Sequence, residues 1–290
     1  MTKPKIRIID TTFAHSGLGS FGAGDLQIPP TYFDWHRGDK IGDIVVLTEE
    51  SAHLVGQQQE KIKILLVIEP PCINPVIYMN LCTPDFVEKF DYILTHDSEL
   101  VKTNSKFVQY NFGGCWIYPE QRQLYDKTKN ISIISSSKRQ SDGHRLRHEV
   151  IDIFSERYSI DVFGRGYTAV ENKLTALKDY KYSIVIENEM RKGWNTEKLM
   201  DCLQTGTIPI YYGDPNISKL LNIDGIFTFS TIEELRLILI NLELDTEPDG
   251  LKKTRDKFAA ENFELSKKFC MPEDLIWNTF LKDVYESTNR

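Results

Sequence analysis

The chain has 290 residues, 41% hydrophobic and 27% charged, enough to bury one large or two modest cores. Its 35 Lys and Arg against 42 Asp and Glu leave a net charge of −7, which argues against nucleic acid as a partner because phosphate binding needs clustered cations. No apolar run reaches the length of a membrane span and residues 1–9 are too short for a signal peptide, so a soluble cytoplasmic protein is expected.

Strand-like runs alternate with helical ones from the start, which predicts parallel α/β sheets. In the first half strands are expected at 5–9, 43–47, 63–68, 91–95 and 107–110, with helices or turns at 50–60 and 73–81. Residues 10–40 are rich in Gly, Pro and aromatics and have no period, a loop long enough to be functional or mobile. A polar stretch at 119–129 reads as a linker. The pattern then restarts, with strands at 131–135, 160–163, 182–186, 207–212 and 226–229, and helices at 145–158, 173–178, 217–221 and 232–242. Helical segments follow residue 250 and end at 272–288. The expected division is 1–122, 123–270 and a C-terminal helix at 271–290. The five cysteines (Cys72, Cys82, Cys115, Cys202, Cys270) lack metal spacing and read as reduced thiols.

The most informative stretch is 180–213, YKYSIVIENEMRKGWNTEKLMDCLQTGTIPIYYG. A buried strand closes on Glu187 and Asn188, and a loop with Arg191, Lys192 and Gly193 follows. Asn195 or Thr196 caps a helix opening at Glu197 and Lys198, and Gly206 ends it. Lys198 in that first turn runs against the helix dipole, which suits either a bound anion or a plain solvated lysine. Arg147 shares the apolar face of Val150, Ile151 and Phe154, spaced i, i+3, i+4, i+7. An inward guanidinium there either binds phosphate or reaches past the core to water. Gly164, in Phe163-Gly164-Arg165-Gly166, follows a strand and allows close backbone approach, a weak signal alone. Glu69 ends an early strand before Pro70 and Pro71, and His96 ends another; each is a candidate base or a surface cap.

These residues carry a resemblance. Asn188, Trp194, Glu197 and Lys198 in "IEN…WNTEK…TIPIYYG" resemble the donor motif of glycosyltransferase family 10, the α-1,3/4-fucosyltransferases. Trp194 stands where that family usually has Tyr, and Asn195 where it has Val. The resemblance implies a GT-B architecture, two Rossmann-like doubly wound domains facing across a cleft, in a soluble form of viral or bacterial type. It implies an inverting, metal-independent transferase with no cofactor, moving fucose from GDP-fucose to an N-acetylglucosamine-containing glycan acceptor. Arg147 and Lys198 would hold the diphosphate, Glu197 the ribose, and Asn188 phosphate or sugar. Trp194, Gly164 and Tyr211 would contact the donor, though Trp194 could instead pack the loop and Tyr211 better suits an aromatic core. Glu187 would stabilise the departing sugar or join a buried ion pair, and Glu69 would be the base, with His96 second. The nearest sequence to a metal-binding Asp-x-Asp, Asp245-Thr246-Glu247, reads as a solvated loop. His15, Phe33, Asp34, Trp35 and His36 of the long loop would form an aromatic platform for the acceptor. The alternatives are another nucleotide sugar on the same fold, or a noncatalytic nucleotide-sugar or glycan-binding protein.

Overall fold

The computed structural model describes residues 3–11, Gly19 and 28–288. The chain forms two compact units, one of Met1–Phe112 with Met271–Arg290, the other of Gly113–Cys270. The N-terminal unit is built on six parallel strands, β1 (Lys5–Ile9), β2 (Asp34–His36), β3 (Ile44–Thr48), β4 (Ile62–Val67), β5 (Tyr92–Thr95) and β6 (Phe107–Gln109), in the order β2-β1-β3-β4-β5-β6. β3 reads Ile-Val-Val-Leu-Thr without alternation because every residue of it is buried, as expected for a parallel sheet covered on both faces. Val45, Leu47, Leu65 and Val67 pack there with Ile77 and Leu81 of helix α1 (Pro75–Leu81), which Asn74 caps and Pro75 opens, and with Val87 of α2 (Pro84–Val87).

β2 falls inside the stretch expected to be irregular. It is three residues long, too short for a period to show, and it pairs Ile6 with Trp35. The aromatic platform is corrected here, because Phe33 and Trp35 are buried. Phe33 stacks on Trp277 at 5.5 Å, and the Trp35 indole N–H donates to Glu273 at 3.1 Å. His15 lies outside the described residues. Those partners belong to the C-terminal segment, which runs through α7 (Pro272–Ile276) and a π-helical turn (Trp277–Leu281) into α8 (Lys282–Thr288) and is therefore part of the N-terminal unit rather than a separate tail.

The other unit carries β7 (Lys129–Ile134), β8 (Asp161–Phe163), β9 (Tyr180–Ile186), β10 (Ile208–Tyr212) and β11 (Phe227–Thr228), all parallel, in the order β11-β10-β9-β7-β8. Its helices are α3 (Asp142–Phe154), α4 (Glu197–Leu203), α5 (Ile232–Glu243) and α6 (Asp249–Ser266), while short 3₁₀ turns stand at Lys173–Ala176 and Ile217–Lys219 where helices were expected. The chain enters this unit at residue 113, ten residues before the expected boundary. Gly113 N–H donates to the Asn195 carbonyl, and Trp116 N–H to the Asp201 carboxylate at 2.5 Å, so hydrogen bonds rather than composition set the border. The chain moves from β7 outward to β8 and returns to β9 on the other side of β7, which makes β7 and β9 the topological switch point.

Candidate functional site

A pocket of about 550 Å³ opens at the carboxyl ends of β7, β8 and β9, at that switch point. Its floor depends on how α3 meets β9. Ser141 caps α3 by accepting the His144 N–H, and Gly143 N–H donates to the Asn188 carbonyl at 3.0 Å. A Cβ on Gly143 would sit 1.8 Å from the Glu187 carbonyl oxygen, so only glycine allows the helix to come this close. One turn on, Arg147 is 5% exposed; its Nε donates to the Ile186 carbonyl at 2.9 Å, and Nη2 to that carbonyl at 2.5 Å and to Asn188 Oδ1 at 2.9 Å. Nη1 makes no hydrogen bond among the described residues. Burial pulls the guanidinium below its ordinary pKa, and Glu187 and Glu197 oppose that pull. A desolvated cation of this kind gains most from an anion in the pocket it lines.

The second cation comes from α4. Thr196 is its cap, and Lys198 Nζ lies 3.0 Å from Thr196 Oγ1, 3.3 Å from Glu197 and 3.4 Å from Glu187. Lys173 adds a third, 2.7 Å from Asp201 and 3.4 Å from Glu197. Burial alone would raise Glu197, but Lys198, Lys173 and the Thr196 hydroxyl outweigh it and bring the carboxyl down to about 2. Lys173 is likewise kept charged, since Asp201 and Glu197 more than offset its burial. Glu197 is therefore a fixed carboxylate acceptor beside two lysines, suited to a hydroxyl pair on a ligand.

Arg147, Asn188, Glu197, Lys198 and Gly164 all line this pocket. Gly164 has φ +113 and closes on the Ser135 carbonyl, 1.9 Å from where a Cβ would stand, at the pocket's edge. Three expected contacts are corrected. Glu187 has no exposed surface; its oxygens accept the Thr196 N–H at 2.8 Å and the Thr196 hydroxyl at 2.7 Å, so it locks the start of α4 instead of facing a sugar. Trp194 and Tyr211, at 2% and 1% exposed, pack inside the unit, and Tyr211 Oη accepts the Asp214 N–H. Asp245 and Glu247 pair with Lys252 at 2.5 Å and Arg255 at 2.8 Å. Lys173, Asp201, Lys138 and His144 were missed as site residues. His144 had a readable signal, since it lies three residues before Arg147 and shares its face.

In the N-terminal unit Glu69 follows β4 and is half-buried. Glu49, just after β3, is 6% exposed and accepts the backbone N–H of Ile68 at 2.5 Å and of Glu69 at 3.0 Å. Burial pushes the Glu49 carboxyl up to about 8, against those two amides and with Glu69 and Glu50 adding repulsion. His96 is fully buried with Nε2 3.0 Å from the Tyr78 hydroxyl, a hydroxyl that also lies 3.3 Å from the Glu69 carbonyl oxygen. Of the two base candidates, Glu69 is the one with accessible surface.

Residues 124–248 match the family model described as glycosyltransferase family 10 (fucosyltransferase) C-term. The α-(1,3)-fucosyltransferase FucT of Helicobacter pylori is 42% identical over 57 residues, 20% of this chain and 12% of that protein. A protein of Acanthamoeba polyphaga mimivirus, named as a candidate fucosyltransferase, is 22% identical over 289 residues, covering 86% of this chain and 46% of its own length. The chain thus spans less than half the length of these relatives. A crystal structure of an α1,3-fucosyltransferase with GDP-fucose superposes with a TM-score of 0.53 at 16% identity over 92% of each chain. That likeness establishes the fold, a GT-B architecture of two parallel-sheet α/β domains. No helix of the described residues is long and apolar enough to cross a membrane.

Proposed function

We propose that this chain, whose residues 124–248 match the model of glycosyltransferase family 10, is an inverting fucosyltransferase that uses GDP-fucose without a metal. The observation that carries the reading is the switch-point pocket, where buried Arg147 and Lys198 converge beside the fixed carboxylate of Glu197. A nucleoside diphosphate fits that charge pattern, with the cations on the phosphates and Glu197 on the ribose hydroxyls. As the bond from the sugar's anomeric carbon to phosphate breaks, its electron pair leaves with GDP, and preset cations stabilise that charge with no reorganisation. The acceptor oxygen forms the new bond from the opposite face and loses its proton to Glu69. The acceptor is an N-acetylglucosamine-containing glycan, a choice that rests on the family.

Thermal-shift screening against GDP-fucose, GDP-mannose and UDP-sugars, followed by assay of sugar transfer, tests the reading. GDP-fucose should stabilise the chain most, and transfer should survive EDTA. Stabilisation by UDP-sugars alone would end the donor assignment, and loss of transfer with EDTA would end the metal-free mechanism.

A further inference from the structure

We propose that His144 contacts the donor's diphosphate and takes up a proton as the donor binds, so that donor affinity is linked to pH through this one side chain. The inference rests on the reading of the pocket as a nucleotide-sugar site.

His144 stands at the third position of α3, one turn before Arg147, so both project from the same helix face into the pocket. It is 5% exposed. The groups that oppose a proton on it come from two helices and a loop: Arg147 and His148 on α3, Lys138 on the loop after β7, and Lys198 on α4; Glu197, also on α4, lines the same pocket against Lys198. Burial comes first and these cations add to it, holding the imidazole down at about 4, so it is neutral in the empty pocket at physiological pH.

The hydrogen bonds are compatible with a proton on Nε2. Ser141 Oγ accepts the His144 backbone N–H at 3.2 Å and lies 2.7 Å from His144 Nδ1. The hydroxyl can accept the amide and give its own proton to Nδ1, and in that tautomer the imidazole proton sits on Nε2. Nε2 makes no hydrogen bond among the described residues. A phosphate oxygen entering the pocket would find that N–H in place.

A diphosphate also removes the cause of the low proton affinity. Its negative charge offsets Arg147, Lys138 and Lys198, the groups that oppose an imidazolium. When Nδ1 gains a proton, the Ser141 hydroxyl rotates and accepts from it, so both protonation states keep their partner.

The test is calorimetric titration of the whole chain with GDP-fucose in buffers of different ionisation enthalpy. Both phosphates of a nucleotide sugar are esterified and carry no proton near neutrality, so uptake reports the protein. The expected result is uptake approaching one proton at about pH 6, falling to none at high pH, with affinity tightening up to about tenfold per pH unit as pH falls. His144→Gln keeps an amide donor near the Nε2 position but cannot hold the extra proton. It should bind donor with no uptake and a flat pH profile. Should that variant not fold, imidazole nitrogen NMR shifts of the wild-type chain with and without donor give the same readout. Binding without uptake, or uptake that persists in His144→Gln, overturns the role of His144 alone. Failure of GDP-fucose to bind at all overturns the pocket reading, and this inference with it.

Discussion

Two parallel sheets in this molecule end in opposite electrostatics. At the strand ends of the C-terminal unit, acids meet cations: Glu197 lies against Lys198 and Lys173 and is driven down to about 2. At the strand ends of the N-terminal unit, acids meet other acids and backbone amides, and Glu49 rises to about 8. The same α/β topology thus yields one region suited to hold an anion and one suited to hold a proton. Glycosyl transfer needs both, a sink for the departing diphosphate and an acceptor for the hydroxyl proton.

The contrast extends to the backbone, and the largest predicted effect tests it. The C-terminal site depends on α3 touching the end of β9, so Gly143→Ala should cost more than about 3 kcal/mol and abolish nucleotide binding. Gly56, in the 3₁₀ segment Glu49–Gln57 of the other unit, has nothing within 4 Å of an added Cβ, and Gly56→Ala should stay within about 0.5 kcal/mol of wild type. Chemical denaturation of both variants measures the difference. Equal, small losses would show that close backbone contact does not build the pocket.

Next in size is the division of labour itself. Glu69→Gln should lower turnover by about 10²–10⁴-fold and leave donor affinity within about twofold, because the cations proposed to hold the donor belong to the other unit. Full activity in that variant would remove Glu69 as the base. The donor half was the more legible in sequence for a physical reason: its motif is contiguous over 180–213 and Arg147 shows its face by helical spacing. Glu187, Trp194 and Tyr211 were misplaced because residue type signals chemistry while burial decides contact. Phe33 and Trp35 looked like an exposed platform because what buries them, Trp277 and Glu273, lies some 240 residues later in the chain. Glu49 carried no signal, since an acid after a strand reads as the first turn of a helix.

The smallest predicted effect probes that acid directly. A carboxyl at about 8 in the folded unit, against 4.5 unfolded, binds more protons folded than unfolded between those values. Its favourable contribution is therefore complete below about pH 4.5 and is lost as pH rises towards 8, the reverse of a carboxylate held by lysines such as Glu197. Glu49→Gln keeps an oxygen to accept from Ile68 and Glu69 but cannot ionise. Relative to wild type it should gain stability as pH rises from 5 to 8, by at most about 1.4 kcal/mol per pH unit, read as denaturation midpoints across that range. Parallel curves for the two proteins would mean the two amides already hold Glu49 as a carboxylate. The strand ends of the N-terminal unit would then stabilise negative charge as those of the other unit do, and the electrostatic case for a proton-holding region would rest on Glu69 alone.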